Sequence, residues 1–259
     1  MKRGRQVLAC CPSNTAVDNL LEALKNNVKG IKLCRAGLMG KMNALSKEFS
    51  LDALMNKVEE KKEFNGENVS LFRTLDSINV ILTTNTGAGD GRIVSYLKLK
   101  KKRDKSLVIA IDEAAQATEP LCWIPIRFGS KVILAGDHMQ LQPTILSPEA
   151  VEKGLAVTMF ERLMQLKLDK NEAIPRQLLR IQYRMSPLIM SWCSQAMYDN
   201  KLIAAESVKN NLRPFKEIAD KLNNKALKML TSKDMIMIDT AGYGVIESSA
   251  SSHSKYNLG

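Results

Sequence analysis

Short apolar runs rich in β-branched residues constrain the fold of this chain more than any other feature. Each run lacks the alternation of polar and apolar residues that marks a half-exposed strand, so each is typical of a strand buried on both faces of a parallel sheet. The runs are residues 6–11, 78–83, 107–111, 131–135 and, much later, 235–239. Helical patterns lie between them, which predicts an α/β, doubly wound fold.

Three of the intervening segments have clear helical signals. Apolar residues at helical spacing predict a helix over 17–28, with Thr15 as its N-cap, and a second helix over 155–166. Ser186 and Pro187 suit the cap and first turn of a third. The predicted apolar face of this third helix contains Ile189, Trp192, Cys193, Ala196 and Met197. Residues 41–76, rich in Lys, Glu and Asn, are predicted to be a charged helical insertion.

The formal net charge of +11 indicates an affinity for polyanions. Charge alone leaves nucleic acid, a membrane surface and an acidic partner open. No apolar run is long enough to span a membrane or to serve as a signal peptide, so we expect a cytoplasmic or nuclear location and no membrane partner. The five cysteines form no C-x-x-C pair and only two histidines are present, so we expect reduced structural thiols and no cysteine–histidine metal site.

Two adjacent carboxylates follow one of the predicted strands, in the segment LVIAIDEAAQ (107–116). In open α/β sheets, ligands bind at the carboxyl ends of the strands. Asp112 can therefore hold Mg²⁺ there, while Glu113 orients or deprotonates an attacking water. The alternative is a strand that ends in an acidic helix cap.

A second strand end carries polar groups in KVILAGDHMQLQP (131–143). Asp137 is expected at the same sheet edge, and the amide of Gln140 can reach a γ-phosphate. An ordinary turn after a strand is the alternative. Polar residues at the ends of two strands indicate a binding site more strongly than polar residues at the end of one.

Three further segments contain candidate binding residues. In CCPSNTAVDNL (10–20), Ser13 and Asn14 either cap a helix or bind a nucleic-acid phosphate. TTNTGAGDG (83–91) is either a phosphate-binding strand exit or a flexible loop, with candidates Thr83, Thr84, Asn85, Thr86 and Gly87.

The third segment, LLRIQYRMSP (178–187), presents Gln182, Tyr183 and Arg184 just before a helix. Arg184 can supply positive charge to a phosphoryl transition state from a second domain, an effect worth roughly 10³ to 10⁵ in rate. Tyr183 can stack on a base. The alternatives are a structural salt bridge for Arg184 and a place in the domain core for Tyr183.

In chain order, PSNTAVDNL, DEAAQ, GDHMQLQP and QYRM resemble motifs Ia, II, III and IV of superfamily 1B helicases, and most closely those of the up-frameshift-like group. The resemblance implies RecA-like P-loop NTPase domains with parallel sheets, both incomplete here, spanning 1–147 and 148–259. It also implies ATP and Mg²⁺ as cofactors and single-stranded or duplex DNA or RNA as partner.

The resemblance implies a role for each candidate residue. Asp112 would bind Mg²⁺, Glu113 would serve the attacking water, and Gln140 and Arg184 would contact the γ-phosphate. The implied nucleotide-binding residues are Asp137, Gln182 and Tyr183. The implied nucleic-acid-binding residues are Ser13, Asn14, Thr83, Thr84, Asn85, Thr86 and Gly87.

The family's P-loop, G-x-x-x-x-G-K-[ST], should lie just before residue 1, and motifs V and VI should follow Gly259. Residues 37–42 imitate a P-loop, but their spacing is wrong and they lack the Ser or Thr. We therefore expect that this chain alone neither hydrolyses ATP efficiently nor folds well. A non-enzymatic nucleic-acid-binding remnant is the alternative. Residues 239–242 match the D-x-x-G motif of GTPases, but the GTPase interpretation fails because no P-loop precedes them and no N-K-x-D motif follows them.

Overall fold

The computed structural model describes residues 6–59, 67–103, 106–166 and 174–209, residues 221 and 225, and the strands at 247–249 and 255–257. The chain forms two compact units, Met1–Asn171 and Glu172–Gly259. The first unit extends past the border predicted after residue 147, because Met159 is buried in its core and Phe160 and Leu163 pack against that core. The predicted strand at 235–239 lies outside the described residues.

A five-stranded parallel sheet forms the centre of the first unit, with the strand order β2-β3-β1-β4-β5. Its strands are β1 Val7–Cys11, β2 Leu33–Arg35, β3 Val80–Thr84, β4 Val108–Ile111 and β5 Lys131–Leu134. Four of them match the predicted runs to within two residues, and the parallel α/β fold is confirmed. The three-residue β2 was not predicted.

Both faces of this sheet are covered at its central strands, which explains why those strands lack alternation. The edge strand β5 differs, because Val132 and Ile133 belong to neither core cluster and are 39% and 50% exposed, so the predicted burial of 131–135 on both faces was wrong. Leu8 and Ile81 belong to one core cluster, whereas the neighbouring Ala9 and Leu82 belong to another. Successive side chains of a strand point to opposite faces, so the two clusters cover the two sides of the sheet. Full burial of a leucine or isoleucine contributes about 1.5–3 kcal/mol.

Nine α-helices are found in the described residues. They are α1 Asn14–Asn27, α2 Ala44–Glu48, α3 Leu51–Glu59, α4 Glu67–Asp76, α5 Gly91–Arg103, α6 Glu119–Ile126, α7 Pro148–Glu152, α8 Met159–Gln165 and α9 Pro187–Met197. The N-cap of α1 is Ser13, whose Oγ accepts from the backbone N–H of Ala16 at 3.1 Å, so the prediction of Thr15 was wrong. The helix predicted over 155–166 begins only at Met159, because Thr158 caps it.

Helices α2, α3 and α4 lie in the Lys- and Glu-rich stretch and connect β2 to β3. Their apolar sides contribute Leu51, Met55, Leu71 and Leu75 to the core. A connection between parallel strands has to cross the sheet, and helices do this without leaving backbone groups unpaired. Although the stretch is rich in charged residues, its helices have apolar sides that pack in the core.

The second unit contains two short strand pairs in its described part. The strands β6 Ile181–Gln182 and β7 Ile203–Ala204 are parallel, and β8 Glu247–Ser249 and β9 Lys255–Asn257 are antiparallel. Helix α9 begins at Pro187 as predicted, but its predicted apolar face is exposed: Trp192 is 66% exposed and Ile189 41%. The helix instead buries Ser194, whose Oγ accepts from the backbone N–H of Leu202 at 3.2 Å. None of the described helices is long and apolar enough to cross a lipid bilayer.

Candidate nucleotide and nucleic-acid site

The polar segments that follow β1, β3, β4 and β5 meet at one edge of the sheet. Backbone N–H groups just past the strands donate to neighbouring strand ends: Asp112 to Cys10 at 2.8 Å and Asn85 to Cys11 at 3.0 Å. The segment after β4 is tied to the end of β5, because the N–H of Ala114 donates to Ala135 at 2.8 Å. The structure thus brings together four of the five segments singled out in the sequence.

Asp112 and Glu113 both lie half-buried at this edge. The Oδ1 atom of Asp112 accepts from the backbone N–H of Glu113 at 3.1 Å. Glu113 has a left-handed backbone, with φ of 52° and ψ of 38°, and its Oε2 accepts from Gln116 Nε2 at 3.0 Å. Such a conformation costs a residue other than glycine about 1–3 kcal/mol and persists where its surroundings enforce it, often at functional sites. No feature of the sequence predicts the left-handed backbone of Glu113.

The loop after β5 packs against the backbone that directly follows these carboxylates. Asp137 accepts from the backbone N–H of Met139 at 3.0 Å and from Gln140 Nε2 at 2.8 Å, so it shapes the turn that presents the exposed Gln140. A Cβ atom on Gly136 would lie only 3.0 Å from the backbone nitrogens of Ala114 and Ala115. Gly136 therefore permits the close approach of the two loops. Gly136, directly before Asp137, is the feature of the sequence from which this close approach could have been predicted.

The thiols beneath the edge are uncharged at neutral pH. Burial raises the pKa of Cys11 to about 12, and the Asp112 carboxylate adds to this effect. Burial likewise raises the pKa of Cys122 to about 11. All five cysteines are free, as predicted.

The residues at this edge fit the protein side of a Mg²⁺–nucleotide complex. Mg²⁺ is commonly held by one or two carboxylates, with phosphate oxygens and water completing its coordination. The half-buried carboxylate of Asp112 is a group of this type, and Glu113 is its neighbour. Within the described residues no cluster of three or more His, Cys, Asp or Glu side chains could hold a metal alone.

Ser13 and Asn14 begin α1 beside this edge. Ser13 is exposed while its Oγ caps the helix, so the capping alternative holds for its geometry. The side chain of Asn14 is half-buried, and its Oδ1 accepts from Arg35 Nη2 at 2.9 Å. Arg35 was missed in the sequence, where only its position in an otherwise apolar run (33–36) sets it apart.

The loop after β3 exposes only part of its predicted set. The side chains of Thr83 and Asn85 are 0% and 1% exposed, which contradicts direct side-chain contact with a nucleic acid. Thr83 lies within β3 itself, and Asn85 directly follows β3, where its backbone N–H donates to Cys11 and its side chain faces Cys122. Thr84 Oγ1 accepts from the backbone N–H of Gly87 at 3.0 Å and lies 3.1 Å from the Oγ1 of the exposed Thr86. Thr84, Thr86 and Gly87 thus form the accessible turn.

The remaining candidates belong to the second unit. Tyr183 is 71% exposed, which rules out its place in a core, and Arg184 is also exposed. Within the described residues the Arg184 guanidinium makes no ion pair.

The Oε1 of Gln182 accepts from the backbone N–H groups of Arg184 and Met185, both at 2.8 Å, and its Nε2 donates to Met185 O at 2.8 Å. Gln182 therefore shapes the turn that carries Tyr183 and Arg184.

Two family models, both described as an AAA domain, match the chain, one over residues 1–71 and 67–148 and the other over 155–259. The chain is 33% identical to DNA-binding protein SMUBP-2 of Mesocricetus auratus over all of its length and 28% of that protein. It is 32% identical to DNA polymerase alpha-associated DNA helicase A of Schizosaccharomyces pombe, over 93% of the chain and 38% of that protein.

A regulator of nonsense transcripts 1 homolog of Drosophila melanogaster is 33% identical to the chain, over 77% of the chain and 18% of that protein. The chain thus spans well under half the length of these relatives. The match to the Mesocricetus auratus protein covers the whole chain, and so includes both units and the segments gathered at the sheet edge. The chain belongs to the superfamily 1 helicases of the up-frameshift-like group.

Proposed function

We propose that this chain provides the nucleotide-hydrolysing and nucleic-acid-contacting residues of a motor that couples ATP hydrolysis to movement along single-stranded DNA or RNA and to duplex unwinding. The names of two relatives, a DNA-binding protein and a DNA helicase, support this proposal. So does the net charge of +11, which favours association with a polyanion. Such a motor would act in the cytoplasm or the nucleus.

The observation that carries the proposal is the hydrogen-bonded contact between the loops that follow β4 and β5. It joins the loop that carries Asp112 and Glu113 to the loop that carries Gln140. In the proposed site Asp112 binds the Mg²⁺ that accompanies ATP, and Glu113 orients the attacking water. Gln140, held by Asp137, contacts the γ-phosphate and registers whether it is present.

The family resemblance assigns nucleotide contacts to two exposed residues of the second unit. Arg184 would neutralise charge on the transferred phosphoryl group, and Tyr183 would stack near the adenine. Gln182 would contribute indirectly, because its amide fixes the turn on which both side chains lie.

The nucleic acid would lie across the neighbouring strand ends. Ser13, Asn14 and the turn formed by Thr84, Thr86 and Gly87 present hydroxyl, amide and backbone N–H groups there. Groups of this kind hold phosphates without reading sequence. Because these residues share a sheet edge with Asp112, changes at the nucleotide can reach the nucleic acid over a short distance.

The test is ATP hydrolysis by the protein expressed from the complete coding sequence, with and without single-stranded DNA or RNA. Glu113→Gln should lower the rate by about 10²-fold or more while preserving binding of the strand. The matched control is Glu152→Gln on the exposed surface of α7, which should hydrolyse ATP normally. Salt-dependent strand binding by a wild-type protein without ATPase activity would favour the nucleic-acid-binding remnant.

A further inference from the structure

Arg35 is a buried cation at the end of β2, with only 1% of its side chain exposed. Each of its three nitrogens donates to a different acceptor. Nε donates to Asp18 Oδ1 at 3.1 Å, Nη1 to the carbonyl of Ala36 at 2.6 Å, and Nη2 to Asn14 Oδ1 at 2.9 Å. The other oxygen of Asp18 accepts from the backbone N–H of Asn43 at 2.8 Å. The guanidinium is thus held at three points.

This geometry fixes which way the Asn14 amide faces. A guanidinium only donates hydrogen bonds, so Asn14 has to turn its oxygen, and not its nitrogen, towards Arg35. The Nδ2 group then lies on the other side of the amide. Asn14 is half-buried at the start of α1, and within the described residues its Nδ2 makes no hydrogen bond. A donor at the N-terminus of a helix is suited to an anion.

We propose that Arg35 is a positioning residue that locks the Asn14 amide with its Nδ2 facing outward, where it donates to a phosphate of the bound nucleic acid. This inference rests on the proposed function, because it assumes that the start of α1 contacts the strand. Arg35 itself touches no nucleic acid. Its effect is to remove the second amide orientation, in which an oxygen would face the phosphate.

A purely structural role for Arg35 makes different predictions. The Arg35–Asp18 pair joins β2 to α1, and breaking a buried pair is strongly destabilising by itself. In that case Arg35 variants would lower the stability of the fold, and their effect on strand binding would be independent of residue 14. A double-mutant cycle separates the two roles.

The experiment measures the binding of fluorescent oligo(dT) and oligo(U) at one fixed salt concentration. Asn14→Ala should weaken binding about tenfold, the effect of one hydrogen bond to a charged group. Arg35→Lys should weaken it about threefold to tenfold, because an ammonium cannot reproduce the three-point geometry of a guanidinium. In the Asn14→Ala background, Arg35→Lys should change the affinity less than about twofold. Asn19→Ala, an exposed asparagine on the same helix, is the matched control and should bind normally.

Asn14→Asp provides a second route in case Arg35→Lys does not fold. The carboxylate preserves an acceptor for Arg35 but has no N–H to offer a phosphate. We expect an unchanged or raised urea midpoint together with at least about tenfold weaker binding.

The outcomes distinguish the inference from the proposed function. Normal binding by Asn14→Ala would overturn the proposed contact at α1 and the inference with it. Weakened binding by Asn14→Ala with an independent, multiplicative effect of Arg35→Lys would overturn the positioning role and leave the proposed function intact. If only the aspartate variant folds, normal binding by that variant would overturn the inference.

Discussion

Gly87 occupies a position at which any side chain would collide with its own loop. A Cβ atom would lie 2.3 Å from Thr83 Oγ1 and 3.0 Å from Thr84 Oγ1, and Thr83 is fully buried. We expect Gly87→Ala to lower the free energy of unfolding by about 1–3 kcal/mol, the usual effect of overpacking. Urea denaturation of the variant would measure it.

Gly91→Ala is the control for this substitution, because nothing lies within 4 Å of the Cβ it would add at the start of α5. Its urea midpoint should stay the same or rise, since alanine favours helices. Equal midpoints for the two variants would contradict the collision at Gly87.

The cysteines should differ sharply in their reactivity. The thiolate is the reactive form, and burial raises the pKa of Cys11 to about 12 and that of Cys122 to about 11. Only Cys193 is partly exposed. We expect one fast phase with a disulfide reagent such as Ellman's, and four further thiols only after denaturation. A fast phase that survives in Cys193→Ser would show that a buried thiol is accessible.

At the scale of elements, one ion pair connects α6 to α8 across 43 residues of sequence. Arg162 donates from Nε and Nη2 to the two carboxylate oxygens of Glu119, at 2.8 and 2.6 Å, and Trp123 Nε1 donates to the same carboxylate at 3.2 Å. The hydrogen bond from Arg162, followed by that from Trp123, lowers the pKa of Glu119. Solvent screening keeps the contribution of this exposed pair to stability small.

The lowered pKa determines the sign of the pH dependence. A carboxyl group with a depressed pKa in the folded state stabilises the fold at neutral pH, and this contribution is lost as the pH falls through the folded pKa. In a Trp192→Phe background, the fluorescence of Trp123 should titrate below the ordinary glutamate pKa of about 4.3. Arg162→Met should move the midpoint up towards that value. An unmoved midpoint, with circular dichroism showing both proteins folded, would contradict the role of Arg162.

At the scale of the whole molecule, the sequence was sufficient to predict the sheet and the edge that carries the site. Buried strands leave a continuous apolar signature, and parallel strands bring their carboxyl ends together, so Asp112 and Asp137 could be assigned to the same edge of the sheet. The three-residue β2 is too short to leave such a signature.

Contacts and backbone conformations that arise only in the folded chain could not be predicted. The bond from Arg35 to Asn14 joins residues 21 positions apart, and the left-handed backbone of Glu113 depends on the packing around it. The exposure of Trp192 likewise follows from what lies against α9, and an apolar pattern does not specify that neighbour.

The two units should unfold separately. Both core clusters consist entirely of residues from the first unit, whereas in the described part of the second the buried apolar side chains are Ala204 and Val208. Few buried apolar contacts mean low local stability. Each unit contains one tryptophan, so Trp192→Phe leaves Trp123 to report on the first unit, and Trp123→Phe leaves Trp192 to report on the second.

We expect the urea transition reported by Trp192 to come first, because the described part of the second unit buries little apolar surface and its unfolding forfeits little hydrophobic free energy. Circular dichroism of the unsubstituted chain should then show two steps. Coincident transitions from both tryptophans would mean that the units fold as one cooperative body. The turn that presents Tyr183 and Arg184 would then be as stable as the sheet edge of Asp112, whereas separate transitions would show that this turn unfolds more readily than that edge.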